Sequence, residues 1–332
     1  MEQFIDNIRA QGKSELTVRQ YKSSIKRFCE WMSANSSDTP QHPPTPFEAP
    51  KLEHKINIQF FESIGTQSNP NATPSDPLEN LTFIVRQATQ KDVANYKRFA
   101  TANWKPNTAR QRLTQLRAYL EFLVDRGEII DNPCKHVDPV IVGTLAPKWL
   151  NSQEQNTLIR FVRKFGDLRE YTIITLLLHT GLRVQELCDL RMNDIELTER
   201  KGKLIVRKGK WNRYREIPLN VDCRRILTQY IAEHNPTEFL FGSQRSAALS
   251  TRGVQHIFTK YQQFTGIDDL TAHTLRHTFC HELVGRKVPL DVVARLAGHM
   301  KKDGSPNIQQ TLIYTAPSEE DLARAVEELS WV

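Results

Sequence analysis

Val18, Tyr21, Ile25, Phe28 and Met32 recur three and four positions apart. That is the period of an α-helix burying one face. Arg19, Lys22, Lys26 and Arg27 fall largely off the stripe, which leaves a basic flank for solvent. A second stripe, Leu113, Leu116, Leu120 and Leu123, predicts a helix between Asn107 and Val124. Arg110, Arg112 and Arg117 lie beside it, and Gly127 and Asn132-Pro133 mark its end. Between the two stripes the pattern fails. Residues 36–80 hold eight of the 17 prolines, a density that reads as a long loop or insert. A short ordered piece is expected around Ile56 to Phe61. Helical periodicity resumes near Gln90.

Residues 136–148, with Pro139 and Pro147, read as a linker between a first domain (1–135) and a second (149–332). In the second, Ser152 is the expected N-cap of a helix running through Phe161. Another helix covers Glu170 to His179 and breaks at Thr180-Gly181. Leu204 to Arg207 and Tyr214 to Leu219 are strand candidates. The turn Lys208-Gly209-Lys210-Trp211-Asn212-Arg213 would join them as a hairpin. Helices then dominate. Ser318 followed by Asp321 resembles a capping box, ahead of an apolar face of Leu322, Val326 and Leu329. The expected fold class is mainly α, with a small antiparallel β-sheet.

At 332 residues the chain is long enough for two domains with separate cores. Its net charge of +7 favours a polyanionic partner. Cys29, Cys134, Cys188, Cys223 and Cys280 are odd in number, far apart and without a C-x-x-C pair. This argues against a disulfide framework or a structural zinc site and fits a reducing cytoplasm. The N-terminal stretch is polar, without a signal-peptide core, and the apolar runs are too short to span a bilayer. No membrane partner is expected.

The candidate chemistry lies in the second half. Arg183 sits in Thr-Gly-Leu-Arg-Val-Gln-Glu-Leu, and His273 and Arg276 in His-Thr-Leu-Arg-His. His299 sits in Leu-Ala-Gly-His, and Tyr314 in Leu-Ile-Tyr-Thr. Two arginines, two histidines and a tyrosine suit attack on a phosphodiester. Guanidinium groups stay charged and grip two oxygens at once. A tyrosine among cations can act as nucleophile. Taken singly, each residue has a plainer reading. Arg183 pairs with Glu186 in a surface salt bridge, Lys210 is solvated at a turn tip, and Tyr314 is a core residue. His273, His277 and His281 share one helical face, so a metal site is conceivable. However, no H-E-x-x-H motif is present.

In this order the boxes resemble the tyrosine recombinase (phage-integrase) family, including its Xer-type members. The resemblance covers nearly all of residues 149–332 and, more loosely, 1–33 and 81–135. It implies a helical core-binding (SAM-like) domain that clamps DNA, followed by a catalytic domain. It implies that Arg183 and Arg276 hold the scissile phosphate and that Lys210 is the general acid. His273 would assist proton transfer, His299 would hydrogen-bond a phosphate oxygen, and Tyr314 would form a 3′-phosphotyrosyl link. No metal and no other cofactor is implied. The partners implied are double-stranded recombination sites, a homotetramer on two DNA sites and accessory DNA-bending proteins. Arg19, Lys22, Lys26, Arg110, Arg112 and Arg117 become candidate phosphate contacts. The setting implied is a mobile element in a bacterial cytoplasm, at the nucleoid. A type IB topoisomerase and a DNA-binding factor without catalysis are the alternatives. Two features depart from the family: the proline-rich insert, and the 15 positions between His299 and Tyr314.

Overall fold

The structure, a computed structural model, describes residues 1–35, 77–143, 147–207, 214–243, 246–301, 303–315, 323 and 326–329. The chain divides into two compact units, Met1–Thr144 and Leu145–Val332.

The first unit is helical: α1 (Glu2–Ala10), α2 (Glu15–Asn35), α3 (Pro77–Arg86), α4 (Gln90–Asn103) and α5 (Pro106–Asp125). The predicted stripes are its core. Helix α2 buries Val18, Ile25, Phe28 and Met32, and α5 buries Leu116, Leu120 and Leu123. The two helices pack together. Between them Ser24 donates a buried 2.6 Å hydrogen bond to Gln115. Two helices escaped the periodicity. Helix α1 buries only Phe4, Ile5 and Ile8, too few positions to establish a period. Helix α3 begins at Pro77, inside the stretch read as an insert. A proline in the first turn lacks only an N–H that would have no helical partner. The rest of the insert, including Ile56 to Phe61, lies outside the described residues. Arg117 donates to the carbonyls of Cys134 and Val137 (2.6 and 3.0 Å), and Val140 is buried with Ala100 and Ala109. Part of the stretch read as linker therefore packs on this unit.

The second unit opens with α6 (Ser152–Phe165), α7 (Leu168–Thr180) and α8 (Val184–Cys188). Asn151, not Ser152, caps α6. Its side chain accepts the Glu154 N–H at 2.8 Å, and Glu154 accepts the Asn151 N–H at 2.9 Å. This reciprocal box fixes the start one residue early, and the helix continues four residues beyond Phe161. Helix α7 is buried along most of its length and packs against α9 (Val221–His234) and α11 (Ala272–Gly285). The remaining helices are α10 (Thr251–Thr265), α12 (Leu290–Ala297) and the short α13 (Ile308–Thr311).

The sheet has three antiparallel strands in the order β1 (Ile195–Leu197), β2 (Gly202–Val206) and β3 (Arg215–Pro218). The predicted hairpin is β2–β3, in register Val206 with Arg215 and Leu204 with Ile217. Strand β1 is three residues long and gives almost no alternation to detect. Mainly α with a small antiparallel sheet is thus the observed class. Among the described residues no helix is long and apolar enough to cross a membrane.

Candidate active site

Two glycines shape the site. Helix α7 ends at Gly181 in the left-handed region (φ +59°), and α12 ends at Gly298 in the same way (φ +68°). Each lets the chain turn out of its helix at once. The residues that follow are Leu182-Arg183 in one case and His299 in the other. Space is also tight at both. A Cβ on Gly181 would lie 2.3 Å from the Phe279 ring. One on Gly298 would meet Arg215 Nη1 at 3.0 Å and Arg183 Nη1 at 3.3 Å.

Three arginines from three elements converge on the end of α12. Arg215 on β3 donates through Nε to the Leu296 carbonyl at 3.1 Å. Arg276 on α11 donates to the Ala297 carbonyl and also to that of Gly181. Arg183, at the start of α8, donates to the Gly298 carbonyl at 2.9 Å. The C-terminal carbonyls of a helix carry partial negative charge and attract cations. Here they hold three guanidinium groups beside His299.

Glu186 holds two of the arginines from the other side. Its side chain is 4% exposed. It accepts from Arg183 Nη1 and Arg215 Nη1, both at 2.9 Å, and from Arg215 Nη2 at 2.6 Å. It also accepts the Arg183 backbone N–H at 2.8 Å. Burial alone would raise its pKa. The hydrogen bonds and charge of Arg215, then those of Arg183, outweigh that and set it at about 2. The plain salt-bridge reading of Arg183 is therefore true, but the bridge is buried and shared. Arg276 is 2% exposed. Burial, then repulsion from Arg183, lowers its pKa to about 10, so it stays a cation at neutral pH.

His299 is buried, with Nδ1 3.2 Å from Thr311 Oγ1. Burial, then Arg276 and Arg183, depress its pKa to about 3, so the ring is neutral. Tyr314 is 3% exposed. Its ring lies nearly parallel to that of His299, with centroids 6.0 Å apart. Its hydroxyl is 2.7 Å from His277 Nδ1. Burial, then Cys280, raises the phenol's pKa above its ordinary value. His273 is exposed and lines a cleft of about 430 Å³ with Val184, Gln255 and Phe258. Surrounding protein, then Arg276 and Arg183, lower its pKa.

The long spacer between His299 and Tyr314 closes on itself. Asn307 N donates to the His299 carbonyl at 2.7 Å, and Lys301 N to Ser305 O at 2.9 Å. Met300 and Pro306 form an antiparallel bridge. Asn307 is thus brought back beside His299. Asn307 then caps α13, its side chain accepting the Gln310 N–H at 3.2 Å. Tyr314 follows in a 3₁₀ turn, Leu312–Tyr314.

Arg183, Arg276, His299 and Tyr314 are accordingly brought together, with His273 at the edge. Lys210 and its rival Lys208 lie outside the described residues, as do Ser318, Asp321 and Leu322 of the final segment. The three histidines of the metal reading do not share one site, because His281 turns away from the other two. His277 faces Tyr314, while His281 stacks on Trp149 at 4.1 Å. Among the described residues no three His, Cys, Asp or Glu side chains are grouped to hold a metal ion. Two other tyrosines have different engagements. Tyr261 donates to Glu170, and Tyr171 accepts from Arg163.

In the first unit Arg19, Lys22, Lys26 and Arg110 are exposed. Arg117 is committed to backbone carbonyls. Arg112 packs over the Trp104 ring at 4.5 Å.

Periodicity and motif order overlooked three contributors: Glu186, Arg215 and His277. Arg215 carried a signal. It shares the inward face of β3 with Ile217, where a charge is out of place unless it is paired.

Residues 148–321, more than half of the chain, match the phage integrase family. The chain belongs to that family. A tyrosine recombinase XerC of Staphylococcus haemolyticus (strain JCSC1435) is 29% identical over 256 residues, covering 74% of this chain and 83% of its own. The TnP I resolvase of Bacillus thuringiensis is 24% identical over 337 residues, covering 98% of each chain. The post-cleavage structure of the XerH site-specific recombinase bound to palindromic difH substrate matches with a TM-score of 0.64. It is 20% identical, covering 75% of this chain and 77% of that one, which is a likeness of fold. Family membership makes the chain a DNA strand-transfer enzyme, a site-specific recombinase working through a tyrosine. Binding to DNA sites in oligomeric recombinase complexes is typical of the family to which this integrase belongs.

Proposed function

We propose that Tyr314 is the nucleophile of this integrase and that Arg183 and Arg276 hold the scissile phosphate. The convergence of the two guanidinium groups, His299 and Tyr314 on the end of α12 carries the reading. An arginine has five N–H donors. Arg276 spends one on Gly181 and one on Ala297, and Arg183 one on Glu186 and one on Gly298. Donors remain for phosphate oxygens, and their directions are fixed in advance. Charge preorganised in this way stabilises the transition state most strongly where its negative charge grows. His299 donates to a phosphate oxygen. His273, at the rim, orients the phosphate and assists proton transfer. Lys210 is the acid for the leaving oxygen.

The Tyr314 Oη–phosphorus bond forms as the bond to the 5′-oxygen breaks, which leaves a 3′-phosphotyrosyl link. A 5′-hydroxyl of another strand then attacks that link and releases Tyr314. No metal or other cofactor enters these steps. The integrase acts as a homotetramer on two DNA sites, with accessory DNA-bending proteins, in a bacterial cytoplasm. Residues 1–135 form the core-binding domain, and the exposed Arg19, Lys22, Lys26 and Arg110 contact phosphates there.

The test starts from a random duplex pool, from which the protein enriches its own site. A nicked duplex carrying that site traps the covalent complex. Wild type should give a 3′-linked adduct, in EDTA as well, and Tyr314→Phe none. An adduct that persists in Tyr314→Phe removes the nucleophile assignment. Arg183→Ala should bind the duplex almost as well as wild type but cleave it at least about 100-fold more slowly.

A further inference from the structure

We propose that His277 is the catalytic base of the cleavage step, taking the phenolic proton of Tyr314 on its Nδ1. The inference rests on Tyr314 being the nucleophile. Its carrying observation is the 2.7 Å contact between His277 Nδ1 and Tyr314 Oη. That is within the reach required of a general base in the resting enzyme.

The other neighbours of the hydroxyl cannot take this proton. Cys280 lies beside it, but burial raises the pKa of that thiol, so the sulfur keeps its own proton and is far too weak a base to take the phenol's. His299 lies parallel to the tyrosine ring with Nδ1 turned to Thr311 Oγ1. His273 sits edge-on to the His277 ring, with centroids 4.1 Å apart, and faces the open cleft. Arg183 and Arg276 are cations without a lone pair to offer.

The charges around His277 explain why the phenol is quiet until DNA arrives. Arg276, His273 and Cys280 share its helix. Tyr314 and His299 approach from the other elements. Burial, then His273 and Arg276, depress the His277 pKa to about 4. At neutral pH the ring is therefore neutral, and in its Nε2–H tautomer, which the proposal requires, Nδ1 accepts from the phenol. The ring is a weak base while the Arg276 charge beside it has no phosphate to offset it. A phosphate gripped by Arg183 and Arg276 offsets that charge, and the transition state adds more negative charge beside the ring. Both strengthen the base at the moment the proton must leave.

The step balances. As the Oη–phosphorus bond forms and the phosphorus–O5′ bond breaks, the phenolic proton passes to Nδ1. The departing O5′ takes its proton from Lys210. In the rejoining step the His277 imidazolium returns its proton to Tyr314 as the phosphotyrosyl bond breaks.

The test is single-turnover cleavage of the nicked duplex by wild type, His277→Ala and His277→Gln. The second variant keeps a hydrogen-bonding side chain if the first disturbs the fold. Cleavage should fall on the order of 100-fold at pH 7, with DNA binding nearly unchanged. The defect should shrink as pH rises toward the phenol's own ionisation, because hydroxide then replaces the base. It should also persist on a duplex with sulfur in place of the bridging 5′-oxygen, whose leaving group needs no acid. A defect that is flat with pH, one that vanishes on the sulfur duplex, or cleavage within about three-fold of wild type overturns the proposal. Nitrogen-15 NMR of the wild-type protein gives an answer without any variant: Nδ1 of His277 should be unprotonated, and a protonated Nδ1 refutes the assignment. An adduct in Tyr314→Phe signals failure of the nucleophile reading instead.

Discussion

Glu186 looks ordinary in sequence, three positions after an arginine, yet it is the most consequential carboxylate described in this integrase. It accepts four hydrogen bonds from two arginines in a buried setting. Its folded pKa of about 2 lies below the ordinary 4.5. The group therefore contributes stability that is complete above pH 4.5 and is lost as pH falls toward 2. The contribution is roughly 3 kcal/mol. Glu186→Gln leaves Arg183 and Arg215 facing each other without a counter-charge, at a cost of about 3–5 kcal/mol at pH 7. Urea unfolding of both proteins tests this. The gap should narrow as pH drops through the window from 4.5 to 2. A gap of equal size at both ends would mean that Glu186 acts by shape alone. DNA cleavage should fall with the stability, because Arg183 loses one of its two side-chain anchors.

At the scale of elements, the C-terminus of α12 is the fixture on which the arginines hang, and Gly298 is its hinge. Helix α10 offers a matched control. It also ends in a left-handed glycine, Gly266 at φ +68°, but a Cβ there meets nothing within 4 Å. Gly266→Ala should cost only backbone strain, about 1–2 kcal/mol. Gly298→Ala carries the same strain and also pushes against Arg215 and Arg183. Its melting temperature should fall further, and its cleavage rate should drop while that of Gly266→Ala is spared. Equal behaviour of the two variants would show that the crowding is relieved cheaply. These elements also mark what was legible in the sequence. Long helices such as α2 and α5 repeat their stripes often enough to be read, and the Thr-Gly-Leu-Arg and Ala-Gly-His turns announce themselves through glycine. Strand β1 and helix α1 are too short to carry a period. Arg215, Glu186 and His277 depend on partners 29 to 81 positions away, which no local pattern encodes. The 15 positions between His299 and Tyr314 depart from the family in sequence. The pinched loop there depends on a backbone hydrogen bond from Asn307 to His299 that side-chain spacing does not reveal.

For the whole molecule, the buried apolar clusters divide cleanly. Phe4, Phe28, Tyr96 and Leu120 belong to a core made from the first unit, and Leu158, Leu177, Phe241 and Tyr261 to one made from the second. Each unit is above the size at which a single core supports a fold. The two should therefore unfold as separate cooperative transitions, and single core truncations should tell them apart. Leu116→Ala removes a fully buried side chain of the first core, and Leu177→Ala does the same in the second. Each should cost about 2–5 kcal/mol and lower one calorimetric transition while leaving the other in place. DNA cleavage at a temperature where both variants remain folded sharpens the division. Every described residue assigned to the chemistry lies in Leu145–Val332, so Leu116→Ala should leave the rate of the bound complex near that of wild type. Coupled shifts of both transitions in either variant would mean that the integrase unfolds as one body and that the separate cores do not act as separate domains.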